Sequence, residues 1–169
     1  MVTIAIKKIE NTFGLTLYKR KGMTVLGLDT ASTTGYALIR ISHNQTLRIE
    51  TNSIKVKGNR DEDKYNLYID VFNQLIKPHY RVIVEDTFMG VNARGFKQIT
   101  RIGGIAYTIA KLKGCDVGFL MATQARKRLG LKGNAKKKDL QKLICDLLEV
   151  EISHDETDAI ILALNGLIK

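Results

Sequence analysis

Short apolar runs and one alternating segment along the chain predict five β-strands. The runs that begin at Thr24 and Arg81 each end at an acidic residue, Asp29 and Glu85 respectively. In the third predicted strand, apolar and charged side chains alternate, as in a strand with one exposed face. The predicted strands are Thr24–Leu28, Gly35–Ile41, Leu47–Val56, Arg81–Val84 and Val117–Met121.

Apolar stripes with helical spacing predict four helices. Between Asp63 and Lys77 the apolar residues recur at i, i+4 and i+8, and Pro78 ends the pattern. The last predicted helix is apolar on every side, which indicates that it is buried. The predicted helices are Asp63–Lys77, Arg94–Leu112, Lys136–Glu149 and Asp155–Ile168.

The order of these elements, βββαβαβαα, predicts an α/β fold. A meander of three strands followed by alternating strands and helices is typical of a mixed five-stranded sheet with helices on both faces. Residues 1–22 do not fit this pattern, and Met23 directly precedes the first clear strand. We therefore expect one domain at 23–169, preceded by a segment that is either a natural extension or an added leader.

Composition narrows the classes of protein. The 169 residues are 44% hydrophobic and 26% charged, the values of an ordinary globular chain. No apolar run approaches the roughly 18–20 residues of a membrane span, so we expect no membrane partner. Cys115 and Cys145 form no CxxC pair, which argues against a zinc module or a disulfide framework. The cysteine content fits a reducing, cytoplasmic location.

Positive charge is in excess and is concentrated in one segment. The chain has 27 Lys+Arg and 17 Asp+Glu, a net charge of +10, which favours an acidic partner and does not identify it. The densest cluster is Arg126–Lys138. Its glycines would let the backbone approach phosphates, and its lysines lead into a predicted helix whose free N–H groups favour anions. The alternative interpretation is a solvated charged surface.

Four acidic residues are candidates for a shared site. Asp29 and Glu85 follow apolar strands and would converge if those strands are neighbours, whereas Asp86 should face the opposite way. Asp155 and Asp158 share one face of the last helix. Asp158 leads into a buried helix and needs a partner or a metal, while Asp155 also suits a helix N-terminus. Converging carboxylates would suit Mg²⁺ or Mn²⁺.

Three motifs resemble the RuvC family of Holliday-junction resolvases over about Thr24 to Leu164. They are Gly27-Leu28-Asp29 followed by Thr34-Gly35-Tyr36, Val84-Glu85-Asp86-Thr87-Phe88-Met89 with Asn92-Ala93, and Asp155-x-x-Asp158-Ala159. The resemblance implies a ribonuclease-H-like fold. It implies that Asp29, Glu85, Asp155 and Asp158 bind two Mg²⁺ ions, with Mn²⁺ as a substitute. Our hypothesis is that Asp29 bridges both ions.

The resemblance also implies roles for residues outside the acidic set. Gly133-Asn134-Ala135-Lys136-Lys137 resembles the family's G-S-A-x-K segment, which makes Lys137 a catalytic lysine close to the phosphate. Phe88 matches the aromatic residue associated with opening bases at the crossover. The expected DNA contacts are Phe88, Asn92, Arg94, Arg126, Lys127, Arg128, Lys132, Lys136, Lys137 and Lys138. The helix Arg94–Leu112 is expected to form a homodimer, although simple packing on the sheet also explains its apolar residues.

The function implied is a metal-dependent, structure-selective DNA endonuclease. It would nick branched DNA such as Holliday junctions, forks and Y-structures by two-metal phosphodiester hydrolysis, leaving 5′-phosphate and 3′-hydroxyl ends. Asp29-Thr30-Ala31-Ser32 departs from the family's D-P-G-S, and Gly130–Lys138 is unusually basic. These departures suggest a phage-type member that acts in the cytoplasm of a bacterial host.

Three other functions share parts of this pattern. A non-cleaving protein that binds branched DNA would share the basic composition, and a ribonuclease-H-like nuclease acting on RNA–DNA hybrids would share the acids. Both stay open. An actin-like nucleotide-binding fold needs a second lobe, for which the chain is too short.

Overall fold

Six strands of the part of the chain that the structure describes form one mixed sheet. The computed structural model describes residues 1–31, 33–58, 60–87 and 93–169. The strands are β1 Val2–Ala5, β2 Thr24–Thr30, β3 Thr34–Ile41, β4 Thr46–Ile54, β5 Arg81–Asp86 and β6 Asp116–Met121. Their order across the sheet is β1-β4-β3-β2-β5-β6, with β2, β5 and β6 parallel and the other neighbours antiparallel. The predicted mixed α/β sheet is confirmed, and the predicted number of five strands is wrong because β1 adds a sixth.

Helices cover both faces of the sheet, as predicted. They are α1 Ile6–Phe13, α2 Asp61–Leu75, α3 Ala93–Leu112, α4 Ala122–Arg128, α5 Lys137–Leu148 and α6 His154–Asn165. Helices α2 and α3 pack on one face, and α1, α4, α5 and α6 share a hydrophobic core on the other. Among the described residues no helix has the length and apolarity that a membrane crossing requires.

The first 22 residues contribute to the same core. β1 pairs with β4 at the edge of the sheet. Ile6, Ile9 and Leu17 are at most 1% exposed, and the backbone of Leu17 forms a bridge with Ile168. The sequence pattern missed β1 and α1 because both are short. The predicted boundary at residue 22 stays a prediction, but the segment before it is packed into the fold.

Helix α6 lies unusually close to β2 and β3. A Cβ atom placed on Gly27 would lie 2.2 Å from the carbonyl oxygen of Ala159, and one on Gly35 would lie 2.1 Å from the carbonyl oxygen of Asp155. Only a residue without a side chain fits at either position. This contact fixes the height of α6 above the sheet, and with it the positions of Asp155 and Asp158.

Replacing Gly27 with alanine should therefore force α6 away from the sheet. We expect G27A to lower the free energy of unfolding by about 3 kcal/mol or more, because the added methyl group meets backbone atoms that cannot rotate away. Urea unfolding followed by circular dichroism measures this. The control is G118A, since a Cβ on Gly118 meets nothing within 4 Å. Equal stabilities of the two variants would contradict the close packing.

Candidate active site

Two acidic side chains meet at the carboxyl ends of the central parallel strands. Asp29 stands near the end of β2 and Glu85 near the end of β5, and the parallel register pairs Leu28 with Val84 directly before them. Asp29 is only 3% exposed, and its carboxyl group is hydrogen-bonded to that of Glu85. The predicted convergence of these two acids is therefore present in the structure.

Asp158 lies beside this pair and is held by two cations. It is 7% exposed in the second turn of α6. One carboxylate oxygen accepts a hydrogen bond from Arg126 Nη2 at 3.0 Å, and the other is 3.0 Å from Lys137 Nζ. Such a buried carboxylate needs compensating charge, and Arg126 and Lys137 supply it.

Burial and negative neighbours keep a proton on the Asp29–Glu85 pair. Burial raises the pKa of Asp29 to about 10, together with the hydrogen bond to Glu85 and the charges of Glu85 and Asp158, while Lys137 opposes the shift. At Lys137, partial burial is the largest single influence and opposes protonation, but the charge and hydrogen bond of Asp158, together with the charges of Asp29 and Glu85, outweigh it, so the pKa of the ammonium is raised. The site therefore combines an Asp29 that keeps its proton with a lysine that stays charged.

Asp155 occupies a different place from the other three acids. It is half-buried in the first turn of α6, with its backbone against Gly35, the residue paired with Asp29 across β2 and β3. The N-terminus of this helix is closed by a reciprocal pair of hydrogen bonds between Ser153 and Glu156. The backbone of Asp155 therefore lies next to Gly35, the strand neighbour of Asp29. The metal-binding role of the Asp155 side chain stays a prediction.

The donor chemistry of the site fits a divalent cation. Carboxylate oxygens are the ligands that Mg²⁺ and Mn²⁺ prefer, and a cation would remove the repulsion that now requires a proton between Asp29 and Glu85. In the structure, however, both oxygens of Asp158 are engaged by cationic side chains. Within the described residues, no three His, Cys, Asp or Glu side chains form a ready metal cage.

A cleft of about 620 Å³ opens over the carboxyl pair. Asp29 and Glu85 form part of its floor, Lys137 projects into it, and Phe96 and Ile99 of α3 form an apolar wall. The cleft can therefore admit an extended polar chain such as a nucleic-acid backbone, with a cationic group and a carboxyl pair at its centre. The full lining is Asp29, Thr30, Ala31, Glu85, Asp86, Thr87, Gly95, Phe96, Ile99, Met121, Ala122, Thr123 and Lys137.

Most of the predicted DNA contacts that the structure describes face solvent. The exposed residues are Arg94, Lys127, Arg128, Lys132, Lys136, Lys137 and Lys138. Their contact with DNA stays a prediction. Phe88 and Asn92 lie outside the described residues.

Arg126 is the exception, because it faces the interior. Only 8% of it is exposed, and its guanidinium group is engaged with Asp158 and with the carbonyl of Gly133. A buried and paired guanidinium cannot meet a phosphate on the surface, so its assignment as a DNA contact is corrected to a partner of Asp158. Its helical spacing could have indicated this, since buried Leu129 follows three residues later.

The protonated carboxyl pair predicts how stability depends on pH. The unfolded Asp29 ionises near 3.8, whereas the folded one keeps its proton to about pH 10, so rising pH between these values favours unfolding. We expect D29N, measured in chelator, to be more stable than the wild type by at least about 1 kcal/mol at pH 8. The difference should vanish near pH 4.

Urea unfolding at pH 4, 6 and 8 measures this difference. The control is D146N, because Asp146 is exposed on α5 and should show no such trend. If D29N were less stable than the wild type at pH 8, the result would contradict an unfavourable ionisation of Asp29 beside Glu85 and Asp158.

Comparisons with known proteins agree on one family. A curated relative, crossover junction endodeoxyribonuclease RuvC of Pseudoalteromonas atlantica, is 26% identical over 163 residues, covering 86% of this chain and 94% of its own length. The Thermus thermophilus RuvC structure has a TM-score of 0.68 at 17% sequence identity, and the match covers 84% of this chain and 92% of that one. The structure of T. thermophilus RuvC in complex with Holliday junction substrate has a TM-score of 0.65 at 16% sequence identity, and the match covers 84% of this chain and 90% of that one.

These likenesses confirm the ribonuclease-H-like fold. The sequence model of the family described as crossover junction endodeoxyribonuclease RuvC matches residues 25–165, which include all four predicted acids and Lys137. With most of its length matched in this way, the chain belongs to the RuvC family.

Proposed function

We propose that this protein is a metal-dependent endonuclease that nicks branched DNA, with Holliday junctions as its principal substrate. The observation that carries the proposal is the pair of buried Asp29 and half-buried Glu85, flanked by Asp158 and Lys137 at the base of an open cleft. Family membership supplies the substrate class, since a structural neighbour is a RuvC bound to a Holliday junction.

Asp29 and Glu85 would hold the divalent cations, with Asp155 and Asp158 completing the set of four acids. Magnesium ions bound there would supply activation of water and stabilisation of the leaving oxygen in phosphodiester hydrolysis, and Mn²⁺ would substitute. Asp29 has the strongest reason to exchange its proton for a cation, because it is the most buried of the four acids.

Lys137 would contact the scissile phosphate. Its ammonium group projects into the cleft and lies 3.0 Å from Asp158, so the carboxylate fixes the position of the charge while the side chain stays 57% exposed. A fixed cation beside the reacting phosphate stabilises the negative charge that develops on its oxygens. Asp158 thus has a second role, which is to position Lys137.

The exposed lysines and arginines beside the cleft would bind the flanking phosphates. Lys132, Lys136 and Lys138 surround Lys137 along the chain, and Arg94 stands at the start of α3, whose first turns form one wall of the cleft. Contacts of this kind fix the orientation of a duplex without reading its sequence.

The geometry favours cleavage over simple binding of branched DNA. A protein that only binds DNA gains nothing from a pair of acidic side chains at the base of its DNA-binding cleft, because carboxylates repel phosphates. A nuclease acting on RNA–DNA hybrids would use the same acids, so the choice of substrate rests on the family.

A second copy of the chain would bind α2 and α3. A groove between these helices is lined by Ile69, Ile105 and Leu112, of which Leu112 is 82% exposed. The opposite side of α3 packs on the sheet through residues such as Ile102 and Ala106, so a dimer contact would use the other side of this helix. A two-fold dimer would present two sites to a two-fold junction.

Loss of either paired acid should abolish cleavage. We expect D29N and E85Q to nick a labelled four-way junction at least about 100-fold more slowly than the wild type in Mg²⁺, since each removes a cation ligand. Paired symmetrical nicks by the wild type, absent in chelator or Ca²⁺, are the expected positive result. Denaturing gels of end-labelled strands measure both.

Matched controls are D146N and E151Q, which make the same chemical changes at exposed positions away from the cleft. Y-shaped DNA, linear duplex and an RNA–DNA hybrid run in parallel. Near wild-type nicking by folded D29N or E85Q would exclude the assigned acids, and preferential cleavage of the hybrid would exclude the junction as substrate.

Charge placed in the groove between α2 and α3 should separate the dimer. We expect L112E to raise the dimer dissociation constant at least about tenfold, because Leu112 would lose apolar burial and gain a carboxylate at the interface. Sedimentation equilibrium measures it. The control is L67E, since Leu67 is also exposed, at 43%, and does not line the groove. Equal effects of the two variants would place the dimer contact elsewhere.

A further inference from the structure

A basic cleft lies at the opposite end of the sheet from the candidate active site. Its volume is about 670 Å³, and it is lined by Arg20, Lys21, His79, Arg81 and Asp116, with Tyr18 at its side. Three strands begin here: β2 at Thr24, β5 at Arg81 and β6 at Asp116. At about 3.3 Å per residue, the strand β2 separates this cleft from Asp29 by roughly 17 Å.

The cleft carries a net positive charge, which comes from Arg20 and Lys21. Its one acidic lining residue, Asp116, is neutralised by Arg81, whose Nε lies 2.8 Å from the carboxylate. Arg20 and Lys21 are exposed, and neither forms an ion pair with any residue that the structure describes. Arg40 adds a further cation nearby through its hydrogen bond to Thr24.

The walls of the cleft are held in place. Arg81 also donates to the carbonyl of Gly166 at 2.9 Å, and its guanidinium lies 5.6 Å from the centre of the Tyr18 ring. The backbone of Tyr18 donates to Leu167 at 2.8 Å, directly after the fully buried Leu17. These contacts fix the segment that carries Arg20, so little ordering is needed when an anion binds.

The segment that supplies Tyr18, Arg20 and Lys21 lies before the part of the chain that matches the family, which begins at residue 25. The basic cleft is therefore built partly from residues that the family model does not include. Its position at the far end of the strands also separates it from the basic residues around Lys137.

We propose that this cleft is a second DNA-binding site that holds the phosphate backbone of a duplex arm away from the point of cleavage. The proposal rests on the proposed function for the identity of the polyanion. Unpaired cations at the ends of exposed side chains suit the repeated phosphates of a duplex, which carries one charge per about 1.7 Å of its length. A branched DNA has several arms, so one arm can occupy this cleft while the branch lies at the active site.

The test is neutralisation of two cations that belong only to this cleft. We expect the double variant R20Q/K21Q, assayed in chelator, to bind a plain 30-base-pair duplex roughly tenfold more weakly than the wild type. The slope of log affinity against log salt should fall by about 2, since two phosphate contacts are lost. Fluorescence anisotropy between 50 and 200 mM salt measures both quantities.

The matched control is K7Q/K142Q, which removes the same net charge at exposed positions on α1 and α5. Equal weakening by the two double variants would mean that only net charge matters and would overturn the proposal. Unchanged duplex binding by R20Q/K21Q, with loss of binding to poly-glutamate, would overturn it in favour of an acidic protein partner. Duplex binding in chelator does not depend on cleavage. The affinity measurement therefore tests this cleft even if the protein fails to nick junctions.

Discussion

The contact of α6 with two glycines is the constraint on which the site depends. Gly27 and Gly35 allow the helix backbone to approach β2 and β3 so closely that Asp158 reaches the end of the sheet beside Asp29. The same helix secures its neighbour, because the side-chain amide of Asn165 donates to the carbonyl of Ala125 at 3.0 Å. This hydrogen bond holds α4 in a position from which Arg126, the residue after Ala125, contacts Asp158. The helix that forms the core thus also sets the spacing of the charged groups.

Charge neutralisation explains the arrangement of these groups. Three carboxyl groups in a buried space cannot all be ionised without compensation. The structure solves this in two ways: a proton is retained by Asp29 and Glu85, and Asp158 is flanked by Arg126 and Lys137. The two solutions differ in what they permit. A proton can be displaced by a cation, so the pair is open to metal binding, whereas a buried guanidinium is costly to remove and keeps Asp158 fixed.

The sequence predicted those parts of the site that follow from simple periodicity. Asp29 and Glu85 could be placed together because acids at the ends of neighbouring parallel strands meet at one edge, and Asp158 could be predicted as buried because α6 is apolar on all sides. Arg126 was misassigned because three successive cations suggest a solvated surface, although one of them lies on the inner face of a seven-residue helix. The sixth strand was missed because four residues give too little alternation to detect.

The net charge of +10 takes on a different meaning once the cations are placed. Buried Arg126 is paired with Asp158, and Arg81 with Asp116, so these two cations add little to the external field. The remaining exposed cations include two groups at opposite ends of the same strands, around Lys137 and around Lys21. A single basic surface would hold one stretch of duplex, whereas two separated surfaces on one sheet, if both bind DNA as proposed, would constrain the direction in which a DNA arm leaves the site. Such a constraint favours a substrate whose arms diverge, which is the property that distinguishes a branch from a linear duplex.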